Sequence, residues 1–149
     1  GVGFSAQGQF TGSYYLRKNY DKEFDWVFKG INENKIGNFG FSGGGAAGFE
    51  LDRADSMLGT PDNCKILASS EGHDSDYVLV PEEHLTHLTT VPGEPLKSLL
   101  RADMVYFENS NGGKVFSTGS ITFCGSLPYN NFKNNISTLL GNILNNFSK

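Results

Sequence analysis

Glu50 stands directly behind Ser42-Gly43-Gly44-Gly45-Ala46-Ala47-Gly48-Phe49, where four glycines and two alanines take six of the seven positions 42–48. Glycine is used where the backbone takes positive φ or another group comes very close, and it costs conformational entropy where neither is needed. A carboxylate behind such a run has little side-chain cover around it. A substrate carbonyl could then reach the backbone N–H groups of Gly43, Gly44 and Gly45 while Glu50 serves as general base. Phe49 and Leu51 on either side would dehydrate the carboxylate, which suits proton abstraction at neutral pH. The same spacing also fits a Glu50 that merely opens a helix, complements its dipole or pairs with Arg53 three residues on.

Three other groupings invite chemistry. Gly40-Phe41-Ser42-Gly43-Gly44 matches G-x-S-x-G, in which a serine on a strained strand-to-helix turn is a nucleophile. A triad at Ser42 would need His73, His84 or His87 together with an acid, and a plain packing loop competes with this reading. Cys124 in Thr-Phe-Cys-Gly-Ser lacks the glycines of a thiol elbow, since Thr122 and Ser126 stand there; a small buried hydrophobe is the simpler account. His84 and His87, three apart beside Glu83, and His73 between acids could bind a metal, yet no third or fourth ligand stands at a recognisable spacing. They read as solvated polar turns.

These residues need a scaffold. The chain has 149 residues, of which 38% are hydrophobic and 13% aromatic, so residues 1–149 form a single domain or part of one. A net charge of −4 with twelve scattered Lys and Arg speaks against nucleic acid as a partner. No stretch approaches the roughly 18 apolar residues of a membrane span, and no leader opens the chain, so a soluble cytoplasmic protein is expected. Cys64 and Cys124 are too few for a disulfide framework and are expected to be free thiols. The sequons at Asn135 and Asn146 read as chance matches in an asparagine-rich tail.

Gly1-Val2-Gly3-Phe4-Ser5-Ala6-Gln7-Gly8 reads as a strand end entering a glycine-rich loop, an odd opening that suggests the C-terminal portion of something longer. Residues 21–29 predict a short helix with Asp21 as N-cap, Gly30 as stop and Phe24, Val27 and Phe28 at helical spacing. Residues 65–69 and 76–81 are short apolar runs that predict buried strands. Ser110-Asn111-Gly112-Gly113 between residues 102–108 and 114–119 predicts a β-hairpin. Phe132, Ile136, Leu139, Leu140, Ile143, Leu144 and Phe147 form one apolar stripe, predicting a C-terminal amphipathic helix. Together these elements predict an α/β layered fold. Ser117 and Thr118, with Ser120, stand at the end of the hairpin's second strand, where sites in open sheets gather; turn-stabilising hydroxyls are the alternative.

Seven strings carry a likeness: GVGFSAQG, IGNFGFSGGGAAGFELDRAD, LGTP, SEGH, YVLVPEE, ADMVYFENSNGGKVFSTGSITFCGS and NNIST. Over nearly its whole length the chain resembles the C-terminal region of the large (beta) subunit of N,N-dimethylformamidase. The resemblance implies an amidohydrolase that converts small N-substituted formamides to formate and an amine. It implies a domain similar to the class I glutamine amidotransferases without their cysteine. It implies a mononuclear iron held by two tyrosines and a glutamate upstream of this chain, so neither Tyr14 nor Tyr15 is assigned to it and no metal ligand is placed here. It implies as partners the remainder of the large subunit, a small subunit and a small amide. What it places in this stretch is a catalytic glutamate, best matched by Glu50, with an isolated chain that is inactive. Two alternatives stand beside it, a serine hydrolase using Ser42 and a non-catalytic assembly module.

Overall fold

The computed structural model describes residues 1–73, 77–81 and 96–149. Among them run strands β1 (Gly3–Arg17), β2 (Ala47–Arg53), β3 (Lys65–Glu71), β4 (Val78–Leu79), β5 (Asp103–Glu108) and β6 (Lys114–Ser117). The helices are α1 (Leu96–Leu99), α2 (Phe123–Ser126) and α3 (Asn135–Phe147). The strands form one sheet in the order β2-β1-β3-β5-β6, with β4 on β1. All five described pairings are antiparallel. The chain is thus a mixed α/β unit built on an antiparallel sheet with a C-terminal helix.

β1 ties the sheet together, pairing β2 along most of its length, β4 near its start and β3 near its end. The reading of the opening residues as a strand end followed by a loop is corrected: the strand continues through Gly8 and Gly12. Its register against β2 slips between Phe4 and Ala6 and again between Gln7 and Gly12, irregularities that bend a strand without ending it. After β6 the chain comes back to β2. The Asp52 N–H donates to the Gly119 carbonyl at 2.8 Å and Leu51 bridges Ser120, so the segment just past β6 is tied to β2.

The hairpin is where the Asn-Gly signal puts it, with β5 and β6 paired from Val105 and Ser117 to Glu108 and Lys114. β3 covers the predicted run at 65–69 and extends to Glu71. Within 76–81 the described residues carry only the short β4. The predicted helix at 21–29 is a 3-10 turn at Lys22–Phe24 followed by further turns, and Asp21 makes no side-chain cap bond. Val27 N–H donates to Phe24 O at 3.0 Å, the tighter i−3 pattern, which suits a stretch only long enough to bury Phe24, Val27 and Phe28.

α3 is capped by Asn134, whose side chain accepts the Ser137 N–H at 2.9 Å. Ile136, Leu139 and Ile143 are buried, whereas Phe132 lies before the helix and Leu144 faces solvent, so the apolar stripe is narrower than the spacing predicted. Asn130, Asn131 and Phe132 have φ of 52°, 53° and 63°, which breaks the helical path ahead of α3. Asparagine tolerates that region better than most residues. The helix joins a core containing Tyr15, Leu51, Leu67 and Met104 from the sheet.

Candidate active-site face on strand β2

β2 alternates as a half-covered strand does. From Glu50 on, Leu51 and Arg53 are buried, while Glu50 and Asp52, which alternate with them, are half-buried. Ser5 Oγ donates to the Leu51 carbonyl at 2.9 Å, and Arg53 turns inward to an ion pair with Asp55 at 2.6 Å. The alternative in which Glu50 opens a helix and pairs with Arg53 is therefore corrected. Strand alternation sends Arg53 to the face opposite Glu50.

Cross-strand partners share a face of the sheet. Glu50 stands opposite Gln7, which in turn stands opposite Val78, while Asp52 stands opposite Phe4. Two carboxylates about 7 Å apart along the strand are thereby set among Phe4, 47% exposed, and Val78, 63% exposed. The face is open and partly apolar. Burial first, and the charge of Glu50 second, push the Asp52 carboxyl above the ordinary aspartate range.

Beneath this face Tyr15 is fully buried and donates to the Thr118 carbonyl at 2.7 Å. Burial pushes its phenol well above the ordinary tyrosine value, with the charges of Asp103 and Asp52 adding to the shift. Tyr15 thus stays a neutral donor that ties β1 to the end of β6. Ser117 ends β6, and three residues further on Ser120 Oγ both donates to the Gly48 carbonyl at 2.9 Å and accepts from the Gly48 N–H at 2.8 Å. The structure thus brings Gly119 and Ser120, just past β6, against β2.

The glycine run divides in two. Gly43 and Gly44 form a turn with φ of 72° and 80°, and a Cβ at Gly44 would meet nothing within 4 Å. Gly45 and Gly48 lie backbone to backbone against β1, where a Cβ at Gly48 would stand 2.7 Å from Gly12 Cα and from Thr11 O. Close approach at these two positions serves the β1–β2 packing. Phe49, between the run and Glu50, has φ of 62°. A bulky residue there carries strain of about 1–3 kcal/mol that the surroundings must hold.

The other candidates separate. Ser42 sits in the turn ahead of β2, and the chain that follows it is a strand, whereas a nucleophile elbow leads into a helix. His73 Nε2 is 2.6 Å from Ser70 Oγ, which also accepts the Ala102 N–H at 2.7 Å. His84 and His87 lie outside the described residues. Cys124 is exposed on α2, not the small buried hydrophobe expected; the one-turn helix buries Phe123 in its place. Cys64 and Cys124 are free thiols, as expected. Among the described residues no three His, Cys, Asp or Glu side chains gather to hold a metal ion. No helix among them is long and apolar enough to cross a membrane.

Several groups escaped the sequence reading. Asp103, fully buried, accepts from Ser69 Oγ at 2.7 Å, from the Ala54 N–H at 3.0 Å and from Arg101 Nε at 3.1 Å. It locks the residues after β2 to β3 and β5; a lone acid heading an apolar strand was its one sequence signal. Tyr77 bridges Thr11 and Phe49, partners far away in sequence, and nothing local marks it. A cleft of about 680 Å³ is lined by Lys18, Ser70, His73, Leu100 and Arg101 among others, none of them on β2.

The chain is 41% identical to the N,N-dimethylformamidase beta subunit of Paracoccus aminophilus, a match covering 100% of this chain and 20% of that protein. It is 40% identical, with the same coverage, to the N,N-dimethylformamidase beta subunit of an Alcaligenes species. The chain therefore spans 20% of the length of these relatives. A family profile described as N,N-dimethylformamidase beta subunit-like, C-terminal, matches residues 1–135. With that match over most of its length and those two relatives, the chain belongs to the N,N-dimethylformamidase beta subunit-like C-terminal family.

Proposed function

We propose that this chain forms one wall of the active site of a formamide-hydrolysing enzyme and supplies its general base, Glu50. The observation that carries the reading is the outward, half-buried placement of Glu50 on β2 behind the strained Phe49. In this reading Glu50 takes a proton from the water that attacks the formyl carbon of N,N-dimethylformamide. The C–N bond then breaks, and the same proton passes to the departing nitrogen, leaving formate and dimethylamine. A general base of this kind contributes roughly 100-fold or more to turnover. Gly43 and Gly44, whose turn is open, form with Ser117 and Thr118 the neighbouring wall.

Iron, which the resemblance implies, belongs in this reading to residues of the large subunit outside this chain. The exposed Phe4 and Val78 beside the carboxylates support a wall that the remainder of the large subunit covers. The sheet would then be the C-terminal part of a layered domain similar to the class I glutamine amidotransferases, in a cytoplasmic enzyme that also contains a small subunit. The isolated chain should release no dimethylamine from N,N-dimethylformamide and carry no iron. Turnover by the purified chain would overturn this division of labour.

One observation favours a second reading, that of a non-catalytic assembly module. Phe41 is 74% exposed and lies 5.9 Å from the ring of Tyr129, which itself stacks on Phe39 at 4.8 Å. Such an aromatic cluster suits docking against the rest of a larger protein. Full activity of Glu50→Gln in the whole enzyme would favour it over the catalytic reading.

A further inference from the structure

We infer that Tyr77 is a positioning residue for Glu50, acting through the backbone of Phe49; the inference rests on the reading of Glu50 as the general base. Tyr77 immediately precedes β4 and is buried. Its hydroxyl donates to the carbonyl of Thr11 and accepts the N–H of Phe49 at 3.2 Å. One oxygen therefore joins the two strands where their pairing is interrupted, between Gln7 and Gly12 on β1. The ring is held as firmly as the hydroxyl. It fills the space above Gly8, where a Cβ would come within 2.6 Å of it, and the imidazole of His73 meets it edge-on at 4.7 Å between centroids.

What the hydroxyl holds is the residue with least reason to stay in place. Phe49, at φ of 62°, occupies a region that large side chains rarely adopt, and it is the residue directly before Glu50. A peptide that relaxed to negative φ there would swing the following carboxylate off the face it shares with Asp52. The bridge from Thr11 through Tyr77 to Phe49 opposes that relaxation. A general base works only within hydrogen-bond reach of its proton, and small misplacement is costly, so this bond acts on turnover more than on substrate affinity.

The test is a double-mutant cycle in the full-length subunit assembled as the enzyme. Tyr77→Phe, which removes one oxygen and keeps the ring, should lower kcat about 10-fold with KM within about 2-fold. Glycine adopts positive φ freely, so in a Phe49→Gly background the same Tyr77→Phe change should alter kcat by less than about 2-fold. Where Phe49→Gly does not accumulate, Phe49→Asn serves, since asparagine also enters that region. Equal losses in both backgrounds, or no loss from Tyr77→Phe in the otherwise unaltered enzyme, would overturn the inference. Glu50→Gln is assayed beside them. An inactive Glu50→Gln with an additive cycle defeats only the role of Tyr77, whereas an active Glu50→Gln defeats the reading of Glu50 and this inference with it.

Discussion

Gly48 faces Gly12 across the β1–β2 pair so closely that a Cβ on Gly48 would stand 2.7 Å from Gly12 Cα. The neighbour in the way is backbone, which cannot swing aside as a flexible side chain can. Gly48→Ala should therefore cost about 1–3 kcal/mol by overpacking. Gly44→Ala, at φ of 80° in open space, should cost only the left-handed penalty of about 1–2 kcal/mol. Urea midpoints of the two variants check the order; a Gly48→Ala protein as stable as wild type would contradict the packing.

Asp52 links the face to pH. Its folded value lies above the ordinary aspartate value of 3.8, chiefly through burial and then through Glu50, so the native state holds the proton more tightly than the unfolded chain. Stability therefore falls as pH rises from about the ordinary value through the raised one, and the contribution is flat beyond it. Asp52→Asn removes that slope. The Tm of Asp52→Asn relative to wild type should rise between pH 3 and pH 7, and a gap that does not change with pH would count against the shift.

Tyr15 donates to the Thr118 carbonyl from a fully buried position. Tyr15→Phe leaves that carbonyl without this donor at a cost of about 1–3 kcal/mol. The loss should appear as a lower denaturant midpoint, with the slope of the transition unchanged. Unchanged stability would mean that water or another donor replaces the phenol.

Ser42 is followed by a strand rather than a helix, and His73 is committed to Ser70. Ser42→Ala should leave turnover within about 2-fold of wild type, well short of the loss expected for a nucleophile. A fluorophosphonate probe should not label Ser42. Labelling that Ser42→Ala abolishes would revive the serine-hydrolase reading.

Local signals were legible where a few adjacent residues decide the outcome. Asn111-Gly112 gave the hairpin, and the spacing from Ile136 to Ile143 gave α3. The spacing of Phe24, Val27 and Phe28 identified buried residues correctly but not their element, because a 3-10 turn and the turns that follow it bury the same three as an α-helix would. The role of Gly45 and Gly48 was hidden because the backbone they approach, at Gly12 and Ser13, is more than thirty residues away. The same distance concealed Tyr77, whose value lies in joining Thr11 to Phe49. Alternation within residues 47–53 could have told strand from helix at Glu50, but Gly48 and Phe49 interrupt it.

The central claim is that Glu50 moves the proton. Its most direct test is the steady-state release of dimethylamine by the whole enzyme carrying Glu50→Gln, with iron quantified in the same preparation. The account predicts unchanged iron and a kcat lower by roughly 100-fold or more. Turnover within a few-fold of wild type, at unchanged iron, would contradict it.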